Sequence, residues 1–318
     1  MNSSIYPSIK NIADAHKRIQ SLIHRTPILT SSQINSFCGC ELYFKCENFQ
    51  KVGAFKFRGA TNAVRLLTDP EAAKGVTTHS SGNHAAALSL AARQRGIPAY
   101  IVMPENAPEI KKIAVHSYGA EITYCEPTLE ARERTLELVQ QKTGATFIHP
   151  YNNFNVISGQ GTAALELLKE IPFLDTVIAP VGGGGLLSGT AIATKAINSA
   201  IKVYGAEPLN ADDAYRSFKK GEIIPSVKPI TIADGLLTSL GTITFQAITD
   251  NVDDIFTTKE ETIIFAMRLV WERMKIIIEP SSAVPLAIII ENRDFFKNKK
   301  IGIILSGGNV DLNHLPFN

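Results

Sequence analysis

Val76-Thr77-Thr78-His79-Ser80-Ser81-Gly82-Asn83-His84, followed by an alanine-rich run to Arg95 and then by Pro98-Ala99-Tyr100-Ile101-Val102-Met103, reads as strand, polar loop, helix and strand. β-Branched residues favour the extended chain, alanines favour the helix, and Gly96 ends it before the chain turns back. A strand–helix–strand unit of this length is a parallel crossover. A second unit follows, with a helix over 111–118, a strand over 120–124 and a helix over 129–142 whose charges lie on one face. Further on, 176–181, 201–206 and 301–305 are short, largely apolar runs of the kind found in parallel sheets covered on both faces. Upstream, Ile12, Ala15, Ile19, Leu22 and Ile23 recur at helical spacing until Pro27, 42–45 reads as a strand, and a helix continues through 60–67. Asp69-Pro70 and Lys74-Gly75 read as a polar break. The pattern predicts an α/β protein with two parallel-sheet domains and flanking helices. The small domain is expected over 75–152, and a discontinuous large domain over 1–74 and 153–318.

Composition narrows the function. The chain has 318 residues, of which 45% are hydrophobic, enough for a large core and about two domains. Lys plus Arg number 32 against 30 Asp plus Glu, and no basic block stands out, so the electrostatic footprint of a nucleic-acid binder is missing. No apolar run approaches the ~18 residues of a membrane span, and the first twenty residues lack the apolar core of a signal peptide. Cys38, Cys40, Cys46 and Cys125 do not form a disulfide framework, and Cys38 and Cys40 are too close for the usual zinc spacing. The expectation is a cytoplasmic protein with reduced thiols and small-molecule ligands, free of nucleic acid and membrane.

Ligands of open α/β sheets bind beyond the carboxyl ends of strands, where helix N-termini offer free N–H groups and a positive dipole end. Ser80 to His84 falls at such a place, and so does Gly182-Gly183-Gly184-Gly185, where missing side chains let backbone amides close on a phosphate. The plain alternatives are a capped helix start, with Asn83 or a serine as the cap, and a tight turn. A dinucleotide fingerprint fails its spacing test, because Leu187 and Ser188 stand where a third glycine is required. Lys56, in Gly53-Ala54-Phe55-Lys56-Phe57-Arg58-Gly59, is by default a solvated surface charge. Its apolar and cationic neighbours would instead lower the pKa of its amine and make it nucleophilic. Lysine and glycine loops together suggest pyridoxal phosphate chemistry.

With Leu305-Ser306-Gly307-Gly308-Asn309, these segments form an ordered set that resembles the fold-type II pyridoxal-phosphate enzymes of the serine racemase and serine/threonine dehydratase family. The resemblance covers nearly the whole chain, including residues 203–208, 232–235 and 271–275. It implies a tryptophan synthase β-like fold in which Lys56 carries pyridoxal 5'-phosphate, Phe55 packs on its ring, Asn83 bonds the ring hydroxyl, and Ser306 faces the ring nitrogen. Gly182, Gly183, Gly184, Gly185 and Leu186 would hold the phosphate. Ser80, Ser81, Asn83 and His84 would bind the substrate, with Lys56 and Ser81 working on opposite faces of its α-carbon.

The same resemblance implies a divalent cation, Mg2+ or Ca2+, on Glu207, the Ala211 carbonyl and Asp213. Read from the residues alone, Ala211-Asp212-Asp213 is an exposed acidic turn. It further implies a homodimer, and a nucleotide effector touching Ser31, Ser32, Lys51, Tyr118, Lys275 and Asn309. Three departures from the family pattern stand out: Tyr151 replaces a common asparagine, and Val52 and Ala86 replace polar residues of the nucleotide set. The expected activity is interconversion of L- and D-serine with β-elimination of serine to pyruvate and ammonia. The alternatives are a threonine or 3-hydroxyaspartate dehydratase with incidental racemisation, and a non-catalytic pyridoxal-phosphate or nucleotide-binding protein, against which the presence of Lys56 and Ser81 argues.

Overall fold

The computed structural model describes residues 5–80, 82–107 and 109–317, the side chain of Ile110 excepted. Its strands are β1 (Ile28–Leu29), β2 (Glu41–Cys46), β3 (Val76–His79), β4 (Ala99–Pro104), β5 (Glu121–Cys125), β6 (Thr146–Phe147), β7 (Thr176–Pro180), β8 (Lys202–Pro208), β9 (Asp254–Thr258) and β10 (Lys300–Leu305). They form a six-stranded sheet in the order β1-β2-β10-β7-β8-β9 and a four-stranded sheet in the order β5-β4-β3-β6. Every pairing is parallel except that of β1 with β2.

The apolar runs occupy these strands because both faces of the large sheet are covered. All five residues of β7 are buried. Successive side chains of β10 enter different cores: Ile303 packs with Phe44, Val284 and Ile288, whereas Ile304 packs with Ala179, Leu187 and Val203. Each such aliphatic side chain, fully buried, stabilises the fold by roughly 1.5–3 kcal/mol. The small sheet shares its core with two helices, as Phe57, Ala60 and Val64 of Lys56–Arg65 meet Leu88 of Asn83–Arg95, together with Ile101 and Met103 of β4. The chain therefore leaves the six-stranded sheet at Cys46 and, across Lys56, enters packing against the other sheet.

A buried ionic network fixes that passage. Arg58 donates to Glu47 at 2.7 and 2.9 Å and to Glu166 at 2.8 and 2.8 Å. Lys45 donates to Glu166 at 2.7 Å and to the Thr26 carbonyl at 2.7 Å. Burial opposes the Arg58 charge, but the two carboxylates outweigh it and raise its pKa, while Arg58 and Lys45 lower that of Glu166 against the same burial.

Two local readings change. Residues 69–74 are helical rather than a polar break, because Thr68 and Glu71 make a capping box and Pro70 falls in the first turn, where its missing N–H costs nothing. The sheet also gains β9 as an edge strand, which its polar flanks and central Ile255-Phe256 leave without a clear period-two pattern.

Candidate active site

Lys56 is the first residue of its helix, and the chain before it is held under strain. Val52 has φ 58, a left-handed conformation unfavourable for a β-branched residue. Ala54 pairs with Gly307, and the Phe55 N–H donates to the Ser306 carbonyl at 2.9 Å, so the lysine segment is stitched to the end of β10. The half-buried Lys56 turns its amine inward. Nζ donates to the Pro150 carbonyl at 3.0 Å and stands 5.2 Å from the centroid of the Phe55 ring. Burial pulls its pKa down to about 8, partly opposed by the charge of Glu279. An amine so placed is neutral far more often near physiological pH than an ordinary lysine, and is the more nucleophilic for it.

The two glycine-rich loops lie where the sequence puts them. The helix Asn83–Arg95 starts at Gly82 without a side-chain cap from Asn83, whose amide turns instead to Glu279 and Asn309. The Ala85 N–H of that first turn donates to the Gly82 carbonyl at 3.0 Å, whereas the N–H groups of Asn83 and His84 have no carbonyl partner within the helix among the described residues and remain donors for an anion. Ser80 bends back, its Oγ accepting from the Gly82 N–H at 3.3 Å. His84 is buried, and with Nε2 3.0 Å from the Ile148 carbonyl it carries the proton there; burial first, then Lys56, lower its pKa to about 3. Ser81 lies outside the described residues.

At the tetraglycine loop, Gly184 has φ +88 and a Cβ on Gly183 would lie 2.3 Å from the Tyr151 ring. A side chain is excluded there, and the loop backbone is free to approach a ligand closely. Gly185 and Leu186 open the helix Gly185–Ile197, and Thr244 Oγ1 fixes the loop by donating to the Gly183 carbonyl at 2.8 Å. A cradle cut for backbone, at a helix N-terminus, fits a phosphate. Tyr151 closes its side as the last ring of a ladder that runs from His79 through Phe147 and His149, with centroid separations of 5.8, 5.6 and 4.6 Å. Burial, followed by His79 and Lys56, lowers His149 to about 4. Its Nδ1 accordingly accepts from the Asn152 N–H at 2.9 Å.

Ser306 is buried, its hydroxyl 3.0 Å from that of Ser282, which also accepts from the Gly307 N–H at 2.7 Å. Sequence reading passed over Ser282, Thr244 and Glu279. Only Glu279 left a signal, as the one acid in an otherwise uncharged run from Ile276 to Ile290.

The acidic turn is not exposed. Glu207 and Asp213 are both buried. Glu207 accepts from the Ala214 and Tyr215 N–H groups at 2.9 and 2.8 Å, whereas neither oxygen of Asp213 has a hydrogen-bond partner among the described residues, the Ser226 hydroxyl lying nearby without completing one. Burial raises Asp213 to about 6 and drives Glu207 well above the usual carboxylate range. Two buried carboxyls, one of them orphaned, suit an oxygen-seeking cation beside the Ala211 carbonyl. No group of three or more His, Cys, Asp or Glu residues able to hold a metal occurs among the described residues.

Of the six residues read as a nucleotide set, Tyr118 and Asn309 line a cleft of ≈ 600 Å³ with Val52, Asn83, Lys111 and Asp234. The other four are not among its lining residues: Ser31 caps the helix Ser32–Cys38, which Ser32 opens, Lys51 donates to the Leu22 carbonyl at 2.6 Å, and Lys275 ends the helix Glu260–Met274. A shallower groove of ≈ 640 Å³ runs along the β9 edge, lined by Tyr215, Lys219 and Glu291, remote from Lys56 in the fold. No described helix is long and apolar enough to cross a membrane.

A lysine with a depressed pKa, a glycine loop that excludes side chains at one helix N-terminus and unpaired N–H donors at another are parts that pyridoxal phosphate chemistry calls for, here on a two-sheet α/β scaffold. A family profile described as pyridoxal-phosphate dependent enzyme matches residues 19–307, and the chain belongs to that family. It is 54% identical over 312 residues to the serine racemase of Dictyostelium discoideum, with 97% of this chain and 96% of the other covered. It is 52% identical over 312 residues to the beta-hydroxyaspartate dehydratase of Paracoccus denitrificans, with 98% and 99% covered. The crystal structure of the Dictyostelium serine racemase superposes with a TM-score of 0.92 at 55% identity, over 96% of this chain and 99% of that one.

Proposed function

We propose that this protein interconverts L- and D-serine with pyridoxal phosphate and also eliminates water from serine to give aminoacrylate, which water then hydrolyses to pyruvate and ammonia. The observation that carries this is Lys56, an enclosed amine lowered to about 8 at the meeting point of the glycine cradle, Asn83 and Ser306. Serine racemases from several organisms, aligned over nearly the full chain, support racemisation. Bound pyridoxal phosphate supplies the electron sink that makes the substrate α-proton removable. Lys56 takes and returns that proton on one face, and Ser81 serves the other. The N–H groups at the start of Asn83–Arg95, with Ser80 and His84, hold the substrate carboxylate. Gly182 to Gly185 and Leu186 hold the phosphate, Phe55 and Asn83 fix the ring, and Ser306 offers its nitrogen a hydroxyl too weakly acidic to protonate it.

A second reading, 3-hydroxyaspartate or threonine dehydration with incidental racemisation, is supported by the 52% identity to the Paracoccus dehydratase. Glu207, Ala211 and Asp213 are assigned to Mg2+ or Ca2+, supported by the unpartnered Asp213 carboxyl. A nucleotide effector is proposed for Ser31, Ser32, Lys51, Tyr118, Lys275 and Asn309, and the cleft lined by Tyr118 and Asn309 supports the reading for those two. The working form is a homodimer, with residues 75–152 as the small domain and 1–74 with 153–318 as the large one. Four buried thiols outside any disulfide suit the cytoplasm.

Two variants test the reaction. Lys56→Ala should abolish the visible absorption of bound cofactor and nearly all turnover while the fold survives, and borohydride should fix the cofactor on residue 56 in the parent; tagging of another lysine overturns the assignment. Ser81→Ala should retain cofactor and measurable L-serine elimination, but lose L-to-D conversion and D-serine elimination by at least ~100-fold, as for loss of an acid–base group. Chiral chromatography with pyruvate release, on L-serine, D-serine, L-threonine and 3-hydroxyaspartate, decides between the two readings. Equal loss of all serine activities would mean that Ser81 only binds the carboxylate.

A further inference from the structure

Behind Lys56 lies a buried carboxylate that the steps above do not use. Glu279 is 3% exposed. Its Oε1 and Oε2 accept from Asn83 Nδ2 at 3.1 and 3.0 Å, and Oε2 also accepts from the Asn309 N–H at 3.2 Å. Asn309 holds the opposite end of the same amide, its Nδ2 donating to Asn83 Oδ1 at 2.9 Å and to the Val52 carbonyl at 2.8 Å. Space for the carboxylate exists because residue 307 is glycine; a Cβ there would meet Oε1 at 2.8 Å.

An ionised carboxylate only accepts, and an amide nitrogen only donates. Turning the Asn83 amide by half a rotation would set Oδ1 against the carboxylate and Nδ2 against Asn309 Nδ2. All three hydrogen bonds of the amide would become like-against-like contacts where little water can screen them. Glu279 and Asn309 thus leave the amide one stable orientation, with one N–H of Nδ2 engaged and the other uncommitted among the described residues.

We propose that Glu279 is a positioning residue that acts through Asn83, holding its amide so that the uncommitted N–H is offered to the ring oxygen of bound pyridoxal phosphate. The proposal rests on the assignment of Asn83 to the cofactor. Charged groups around Glu279 are Lys56, Lys111 and Asp234. Burial, followed by Asp234, raises its pKa to about 7, against the hydrogen bond from Asn83 and the charge of Lys111.

The test is a double-mutant cycle on the full-length protein, read as the dissociation constant of pyridoxal phosphate from absorbance titrations, with melting of each cofactor-free variant as the control for folding. Glu279→Gln forces an NH2 group against Asn83 Nδ2 or the Asn309 N–H, and should weaken cofactor binding at least about tenfold, the lower end for a hydrogen bond to a charged partner. In the Asn83→Ala background the same substitution should cost nothing further, because its effect passes through Asn83. Additive losses, or an unchanged constant in Glu279→Gln, overturn the proposal. No loss in Asn83→Ala itself would instead sink the assignment of Asn83 on which the proposal rests. If Glu279→Gln does not fold, the pH series decides: cofactor affinity of the parent should fall as Glu279 protonates below about pH 7. That component should be missing from Asn83→Ala, and its persistence there overturns the proposal.

Discussion

Lys56 shows how far one residue's chemistry follows from enclosure. Its amine is lowered from 10.5 to about 8 because the charged form is desolvated. Between about pH 8 and 10.5 the unfolded chain binds a proton that the cofactor-free fold does not, so the contribution of Lys56 to stability rises with pH across that window. The same shift sets reactivity, since only the neutral amine attacks a carbonyl. Uptake of pyridoxal phosphate by the cofactor-free protein should therefore climb with pH and level off above about 8. Stopped-flow absorbance would measure it. A rate still rising steeply at pH 10 would mean that the amine is solvated like an ordinary lysine.

At the scale of elements, the sequence revealed the loops more readily than their supports. Ser80 to His84, Gly182 to Gly185 and Leu305 to Asn309 were legible because glycines and polar residues between apolar runs mark strand ends, and because glycine clusters have few structural uses. Glu47, Arg58, Lys45 and Glu166 were not, since each looks like a surface charge until the fold buries all four. Ser282 and Thr244 were hidden for a similar reason: a hydroxyl in a helix gives no sign of which loop it will hold. Arg58 sits two residues past Lys56 and ties its helix to Glu47 and to Glu166 in the helix Thr162–Glu170. Arg58→Leu would leave two carboxylates buried against one lysine, and should destabilise the protein by about 3–5 kcal/mol in denaturant unfolding. A loss below about 1 kcal/mol, the range of exposed pairs, would show that water reaches the network.

For the molecule as a whole, the cation site joins stability to ionic conditions. Glu207 at the end of β8 and Asp213 at the head of the helix Asp213–Lys220 are neighbouring buried carboxyls, and repulsion from the Asp213 charge adds to burial in raising Glu207. A bound cation would relieve that repulsion and, at a hundred times its dissociation constant, stabilise the fold by about 2.7 kcal/mol. Chelation should lower activity and melting temperature together, added Mg2+ or Ca2+ should restore both, and Glu207→Ala should respond to neither treatment. The pH dependence separates the two states further. Without the ion, the raised Asp213 pKa means that the fold binds a proton more tightly than the unfolded chain, so this group's contribution grows as pH falls from about 6 towards 3.8. With the ion present, protons compete for the same oxygens and acidification should weaken the fold over the same range. Melting curves from pH 4 to 7, with chelator or with millimolar Mg2+ or Ca2+, should therefore slope in opposite directions. Parallel curves, with chelated protein keeping its full melting temperature, would reduce the site to a buried turn that caps a helix.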